Sequence, residues 1–171
     1  MKTFHHSLII LLFMTPVFCA AQVPLQKSPS VVALEFYTLI VREDPSGVPD
    51  VREMQLLRPY LSRSLLSLFS RVRKEEVEAV KRTPDQEKPP LLEGCLFSCL
   101  YEGPNQFRIG RQRVSGRFAY LTIEQRAGPD KWADTLILVK EKDRWRVWDV
   151  RLGCDRPHAG QPTLRMMLGG P

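Results

Sequence analysis

The sequence predicts an α+β domain in which helices come first and an antiparallel meander follows. Two observations predict it. Apolar residues recur at helical spacing in the first half of the chain, and after a proline-rich loop the period changes to two. The four strand-length segments beyond that change are joined by short turns, which pairs neighbours antiparallel and separates the chain from alternating βαβ folds.

Before the domain comes "MKTFHHSLIILLFMTPVFCAAQ". One lysine near the start, an apolar run from Leu8 to Phe18 and small residues after it form the layout of a secretory signal peptide. The run is too short to span a bilayer as a helix. Cys19 and Ala21 supply small residues at positions −3 and −1, so cleavage is expected after Ala21. Lipidation at Cys19 is disfavoured by Phe18 directly before it, and an uncleaved anchor by the single positive charge ahead of the apolar run. Residues 1–21 are read as signal peptide, 22–155 as one domain and 156–171 as a C-terminal tail. The chain is expected to be exported, periplasmic or secreted.

"SPSVVALEFYTLIV" opens the first helix, with Ser28 as N-cap, Pro29 at the first helical position and Val32, Phe36, Leu39 and Ile40 on one face. "REDPSGVPD" breaks it. In "LLRPYLSRSLLSLFSRVRKEEVEAVKRT", Leu57, Leu61, Leu65, Leu68 and Val72 keep helical spacing; Pro59 forces a break and Ser62 caps the longer part beyond it. One short turn and one long amphipathic helix result, the later part a solvated charged face. "TPDQEKPPLLEG" is a polar loop. The strands are "QFRIGRQRV", "RFAYLTIEQ", "ADTLILVKE" and "RWRVWDVRL", punctuated at Ser115-Gly116, Gly128-Pro129-Asp130 and Lys142-Asp143.

The order of "EFY", "LRPYLSRSL", "LLEGCLF", "GRFAYLTI" and "DRWRVWDV" resembles the NTF2-like, cone-shaped α+β superfamily over about residues 30–153, and within it the exported bacterial family called domain of unknown function 3828. That resemblance implies a strongly curved sheet wrapped around the long helix with a pocket at its open end. Some superfamily members are isomerases or dehydratases, and others bind or dimerise; the specific family brings no activity with it.

In the last strand a period of two puts Trp145, Val147, Asp149 and Arg151 on one face. If that face lines the cone, Asp149 points inward as a candidate general base, its pKa raised by apolar surroundings, with Tyr37, Tyr60 or Tyr101 as proton donors. Tyr37, Tyr60, Trp145 and Asp149 are thus the expected pocket. The competing reading is that Asp149 pairs with Arg111 or Arg113, or accepts backbone N–H groups. Beyond the signal peptide the histidine count falls to His158 alone, and no Ser-His-Asp set, metal-hydrolase helix, phosphate loop or dinucleotide fingerprint is present. No cofactor is expected.

Cys95, Cys99 and Cys154 remain in the mature chain, and in an oxidising compartment a disulfide is expected. If "CLFSC" is extended, its two cysteines lie too far apart to join each other, and one of them then bonds Cys154; Cys99 is favoured, with Cys95 the alternative. Cys95, Cys99, Cys154 and His158 also have the C-x3-C and C-x3-H spacings of a structural zinc site. Arg108, Arg111, Arg113 and Arg117 crowd one hairpin beside Phe107 and Phe118 and make a candidate anion patch.

With 25 Lys and Arg against 19 Asp and Glu, the chain carries +6. Export removes it from most nucleic acid, so the charge suits an anionic surface or an acidic protein. The function expected is an exported, non-enzymatic binding or interaction module for an unknown small ligand or an envelope protein, with no membrane span and a homodimer compatible with the resemblance. Two alternatives stand beside it. One is an isomerase or dehydratase using Asp149; the other is an envelope inhibitor or immunity-type protein that meets an acidic partner.

Overall fold

Ser28 starts the first helix by accepting the Val31 N–H on its hydroxyl, and Pro29 comes next with its φ already set for helix. The computed structural model describes residues 26–82, 92–153 and 162–170. Helix α1, Pro29–Glu43, buries Val32, Ala33, Phe36, Tyr37, Leu39 and Ile40. It stops at Asp44, whose left-handed φ of 45° turns the chain away.

A second helix, α2 (Val51–Leu57), stands where the sequence suggests only a short turn. Its signal is nonetheless local. Asp50 accepts the Glu53 N–H at 2.7 Å, and the Glu53 carboxylate accepts the Asp50 N–H at 2.7 Å, a reciprocal capping box. Pro59 falls just past its end. Ser62 then caps α3 (Arg63–Arg82) by accepting the Leu65 N–H at 3.2 Å. Leu65, Leu68, Phe69 and Val72 face inward from α3, each fully buried apolar side chain contributing about 1.5–3 kcal/mol.

Four strands complete the sheet: β1 (Gln106–Ser115), β2 (Phe118–Ala127), β3 (Asp130–Glu141) and β4 (Arg144–Arg151), antiparallel in the order β1-β2-β3-β4. This is the α+β meander that the sequence predicts. The β3–β4 connection is a two-residue loop in which Lys142 and Asp143 both hold positive φ, 45° and 62°, the conformation whose twist matches the flanking strands. Ala119, Leu121 and Ile123 of β2, Leu136 and Leu138 of β3, and Val147 and Val150 of β4 join the helices in one core.

The two edges of the sheet are treated differently. Along β4, the Val147 N–H donates to the Tyr60 carbonyl at 2.7 Å and the Ser62 N–H to the Val147 carbonyl at 2.8 Å, so the α2–α3 corner lies alongside it. Farther on, the Leu152 N–H donates to the Pro162 carbonyl at 3.0 Å. Among the described residues no strand lies beside β1. That edge carries arginines and an irregularity between Ile109 and Gln112, both of which discourage strand addition.

Sequence alone leaves the tail open between mobile and docked. Residues 162–170 are docked: Thr163 caps a short helix α4 (Leu164–Met167), and Leu164 and Leu168 are buried in the core. Among the described residues no helix is long and apolar enough to cross a membrane. The expected signal peptide lies outside the described residues.

Candidate functional site

The last strand departs from strict alternation. Ile137 pairs with Asp149, but Leu138 pairs with Val147, which leaves Trp148 as an extra residue in β4. Trp145 and Val147 therefore keep the inward face, while Asp149 is carried to the opposite one, beside Ile137. This corrects the expectation that Asp149 shares a pocket face with Trp145. Trp148 meets Phe118 on that outer side, ring centroids 5.6 Å apart.

Asp149 is buried there because the tail closes over it. One carboxylate oxygen accepts the Val150 N–H and the Arg165 N–H, both at 2.9 Å. The Arg165 guanidinium lies 4.6 Å from the centre of the Trp148 ring and donates to the Ser64 hydroxyl at 3.1 Å. Burial raises the Asp149 pKa above the usual aspartate value, and hydrogen bonds from Arg165 and Thr163 oppose that rise. The partners are backbone N–H groups and the first turn of α4, so the carboxylate works as a clasp on the tail. The predicted pairing with Arg111 or Arg113 is not made.

The other expected pocket residues do not meet around an opening. Tyr37 is fully buried, its hydroxyl donating to the Phe97 carbonyl at 3.1 Å and its ring packed on Phe36 and Phe107; burial pushes its pKa well up. Tyr60 is half-buried against Phe36 and presents its carbonyl to β4. Trp145 rests half-buried on the core, opposite Lys140. Tyr101, the third candidate donor, is exposed.

A second buried carboxylate, Asp134, is one that sequence reasoning missed. It lies on the inward face of β3 with Leu136 and Leu138, 1% exposed. It accepts three hydrogen bonds: from the Gly153 N–H at 2.6 Å, the Gln125 side-chain amide at 2.6 Å and the Cys99 N–H at 3.2 Å. Burial raises its pKa, and these donors oppose the rise. An aspartate two residues before a leucine on an otherwise apolar strand face is the available signal. Gly153 is required beside it, since a side chain there would strike the Ala133 carbonyl. The carbonyl oxygen of the Gln125 side chain is buried and meets no hydrogen-bond partner among the described residues.

Near this hub Cys95 is a free thiol, buried, with a pKa raised to about 11 chiefly by burial. Cys99 is disulfide-bonded, and a sulfur so engaged is no thiolate for zinc. Cys154 and His158, the other half of the expected zinc set and the expected disulfide partner, lie outside the described residues. Among the described residues no three His, Cys, Asp or Glu side chains are grouped to hold a metal ion.

The predicted anion patch is largely committed. Arg108 is ion-paired with Glu124, Arg113 stacks 5.1 Å from the centre of the Tyr120 ring and Arg117 lies 5.8 Å from that of Phe118. Arg111 is exposed within the β1 irregularity. Two open grooves lie at opposite ends of the sheet. One, about 610 Å³, has Phe107, Gln125 and Trp132 in its wall. The other, about 660 Å³, runs between the α2–α3 corner and the β3–β4 hairpin and is lined by Arg58, Arg63, Lys142, Arg144 and Arg146 with Glu141. Sequence reasoning missed this second basic set, because its cations come from two distant segments that meet only when β4 lies against residues 60–62. None of Tyr37, Tyr60, Trp145 or Asp149 lines either groove.

Compared with protein-family models, with curated proteins and with solved structures, the chain matches none of them.

Proposed function

We propose that the chain is an exported, non-enzymatic binding or interaction module of the NTF2-like, cone-shaped type. The observation that carries the reading is the condition of the two carboxylates buried on the sheet. Asp134 and Asp149 are each engaged by backbone N–H groups and closed over by neighbouring chain, which leaves neither positioned to take a proton from a bound molecule. What the fold does present outward is two grooves and a surplus of arginine. A small ligand in a groove and a protein docked on the sheet both suit that surface.

The export reading is supported by the first 21 residues and by the oxidised state of Cys99. Its partner in this reading is Cys154. Asp134 binds the N–H groups of Cys99 and Gly153 together, bringing the residue before Cys154 onto the same side chain as Cys99.

Asp149→Asn tests the non-enzymatic reading through the sign of its effect on stability. A catalytic carboxylate held against its preference gains stability when amidated and loses activity. A clasp loses stability. The expected result is a loss of about 1–3 kcal/mol, because a neutral amide oxygen accepts the Val150 and Arg165 N–H groups more weakly than a carboxylate oxygen, and an NH2 replaces the second acceptor beside Thr163. A higher melting temperature for the Asn variant would return Asp149 to the isomerase or dehydratase reading.

A further inference from the structure

The groove at the β3–β4 hairpin holds five cationic side chains and one carboxylate. Arg58 comes from the end of α2, Arg63 from the first turn of α3, and Lys142, Arg144 and Arg146 from the hairpin. Among the described residues none of the five is in a salt bridge, although seven ion pairs form outside the groove's lining. Such crowding of like charge destabilises a folded surface unless an anion relieves it.

The N-terminus of α3 opens into the same groove. This helix is 20 residues long, and its first N–H groups add positive potential where the arginines converge. The Glu141 carboxylate already sits toward that end, one oxygen 3.4 Å from the Arg63 N–H. The chain's own oxyanion thus marks where an external one would be held, at a distance long enough to be improved upon.

We propose that this groove binds a ligand bearing clustered phosphate groups. Four of the five cations are arginines, whose planar forks match phosphate oxygens two at a time. One singly charged carboxylate would leave most of the groove's charge unmatched; several phosphates in succession would not. The groove's volume of about 660 Å³ is that of small-ligand sites. A soluble polyphosphorylated molecule and the phosphate headgroups of a lipid surface share this chemistry. The proposal rests on the reading of the chain as a binding module and names its ligand class.

The test is calorimetric titration of the oxidised full chain with inorganic tripolyphosphate, and sedimentation with phosphatidylcholine vesicles with and without phosphatidylglycerol. The expected result is saturable binding that weakens as salt is raised. The Arg63→Gln/Arg146→Gln pair should lose about tenfold or more in affinity. Glu141→Gln should bind several-fold tighter, because a competing carboxylate has gone; Arg108→Gln/Arg113→Gln on the far hairpin should bind as wild type does. Binding to tripolyphosphate assigns a soluble ligand, and binding only to the anionic vesicles assigns the headgroups. No saturable binding to either probe, equal loss in both arginine pairs, or equal affinity for a polyglutamate peptide overturns the proposal. Should tripolyphosphate be bound and also hydrolysed, the groove assignment survives and the non-enzymatic reading fails.

Discussion

The two ends of the sheet handle polar groups in opposite ways. At the end where β3 begins and β4 finishes, Asp134 gathers three donors from three separate segments, and Trp132 donates its indole N–H to the Ser98 hydroxyl at 3.1 Å. Apart from the Gln125 side-chain oxygen, the buried polar groups named there are matched inside the protein, and the loop carrying Cys95 and Phe97 is pinned to the strands. At the other end, around the Lys142-Asp143 turn, cations from the corner and the hairpin face a common groove and make no ion pair among the described residues. The first arrangement uses its polar groups to hold the fold, and the second leaves them for something outside it.

That contrast predicts a gradient in what mutations do. The largest effect belongs to the loop at the pinned end. Phe97 is fully buried and meets Phe36 and Phe69 with ring centroids 5.4 and 5.9 Å away. Phe97→Ala is expected to cost about 3–5 kcal/mol through lost transfer energy and the cavity left behind, measured by urea denaturation. A cost near 1 kcal/mol would mean that the loop repacks freely and that the contrast between the ends is overdrawn.

Asp134→Asn comes next, at about 1–3 kcal/mol, since an amide cannot accept from all three donors. Its pH dependence sharpens the comparison. Burial holds the folded-state pKa of Asp134 above the unfolded value, so the folded chain keeps that proton more tightly. The stability drawn from this group is therefore greatest in acid, below the ordinary aspartate value, and declines as pH rises through the folded pKa. Asparagine does not titrate, so wild type's advantage over Asp134→Asn should narrow as pH rises across that window. A widening gap would show that the three donors outweigh burial.

A smaller effect, read chemically, is the silence of Cys95. With its thiol buried and its pKa at about 11, iodoacetamide at mildly alkaline pH should leave it unmodified in the native chain and label it once denaturant is added. Rapid native labelling would mean that the loop opens locally. Smallest of all should be the open end: Lys142→Gln and Arg144→Gln are expected to shift the unfolding midpoint by no more than about 0.5 kcal/mol in equivalent stability, or to raise it slightly by relieving repulsion. A loss above 1 kcal/mol there would show these cations to be structural after all.

Much of the fold is legible in the sequence, because local chemistry dictates it. Ser28 before Pro29, Ser62 after Pro59, and the change of period after the proline-rich loop each point to an element that forms. The capping box of Asp50 and Glu53 is equally local, but Pro45, Gly47 and Pro49 just before it read as breakers and mask it. The site is legible only in part. Asp149 stands out in the sequence as a buried carboxylate with a raised pKa, but its face does not: one extra residue at Trp148 reverses the alternation, and no local rule announces a bulge. Placing Asp134 requires knowing which face of β3 turns inward. The basic groove requires a tertiary fact, the contact of residues 60–62 with β4, which brings Arg58 and Arg63 to the hairpin.

The clasp of Asp149 on Arg165 has a consequence for the order in which the domain is assembled. Leu164 and Leu168 are buried in the core, and the Arg165 guanidinium lies over Trp148. A ribosome that has synthesised the chain as far as residue 153 has produced β1 to β4 and α1 to α3, yet the core still lacks Leu164 and Leu168 and β4 lacks part of its edge cover. Native packing thus waits until residue 168 has cleared the exit tunnel, and nascent chains released earlier should remain sensitive to protease.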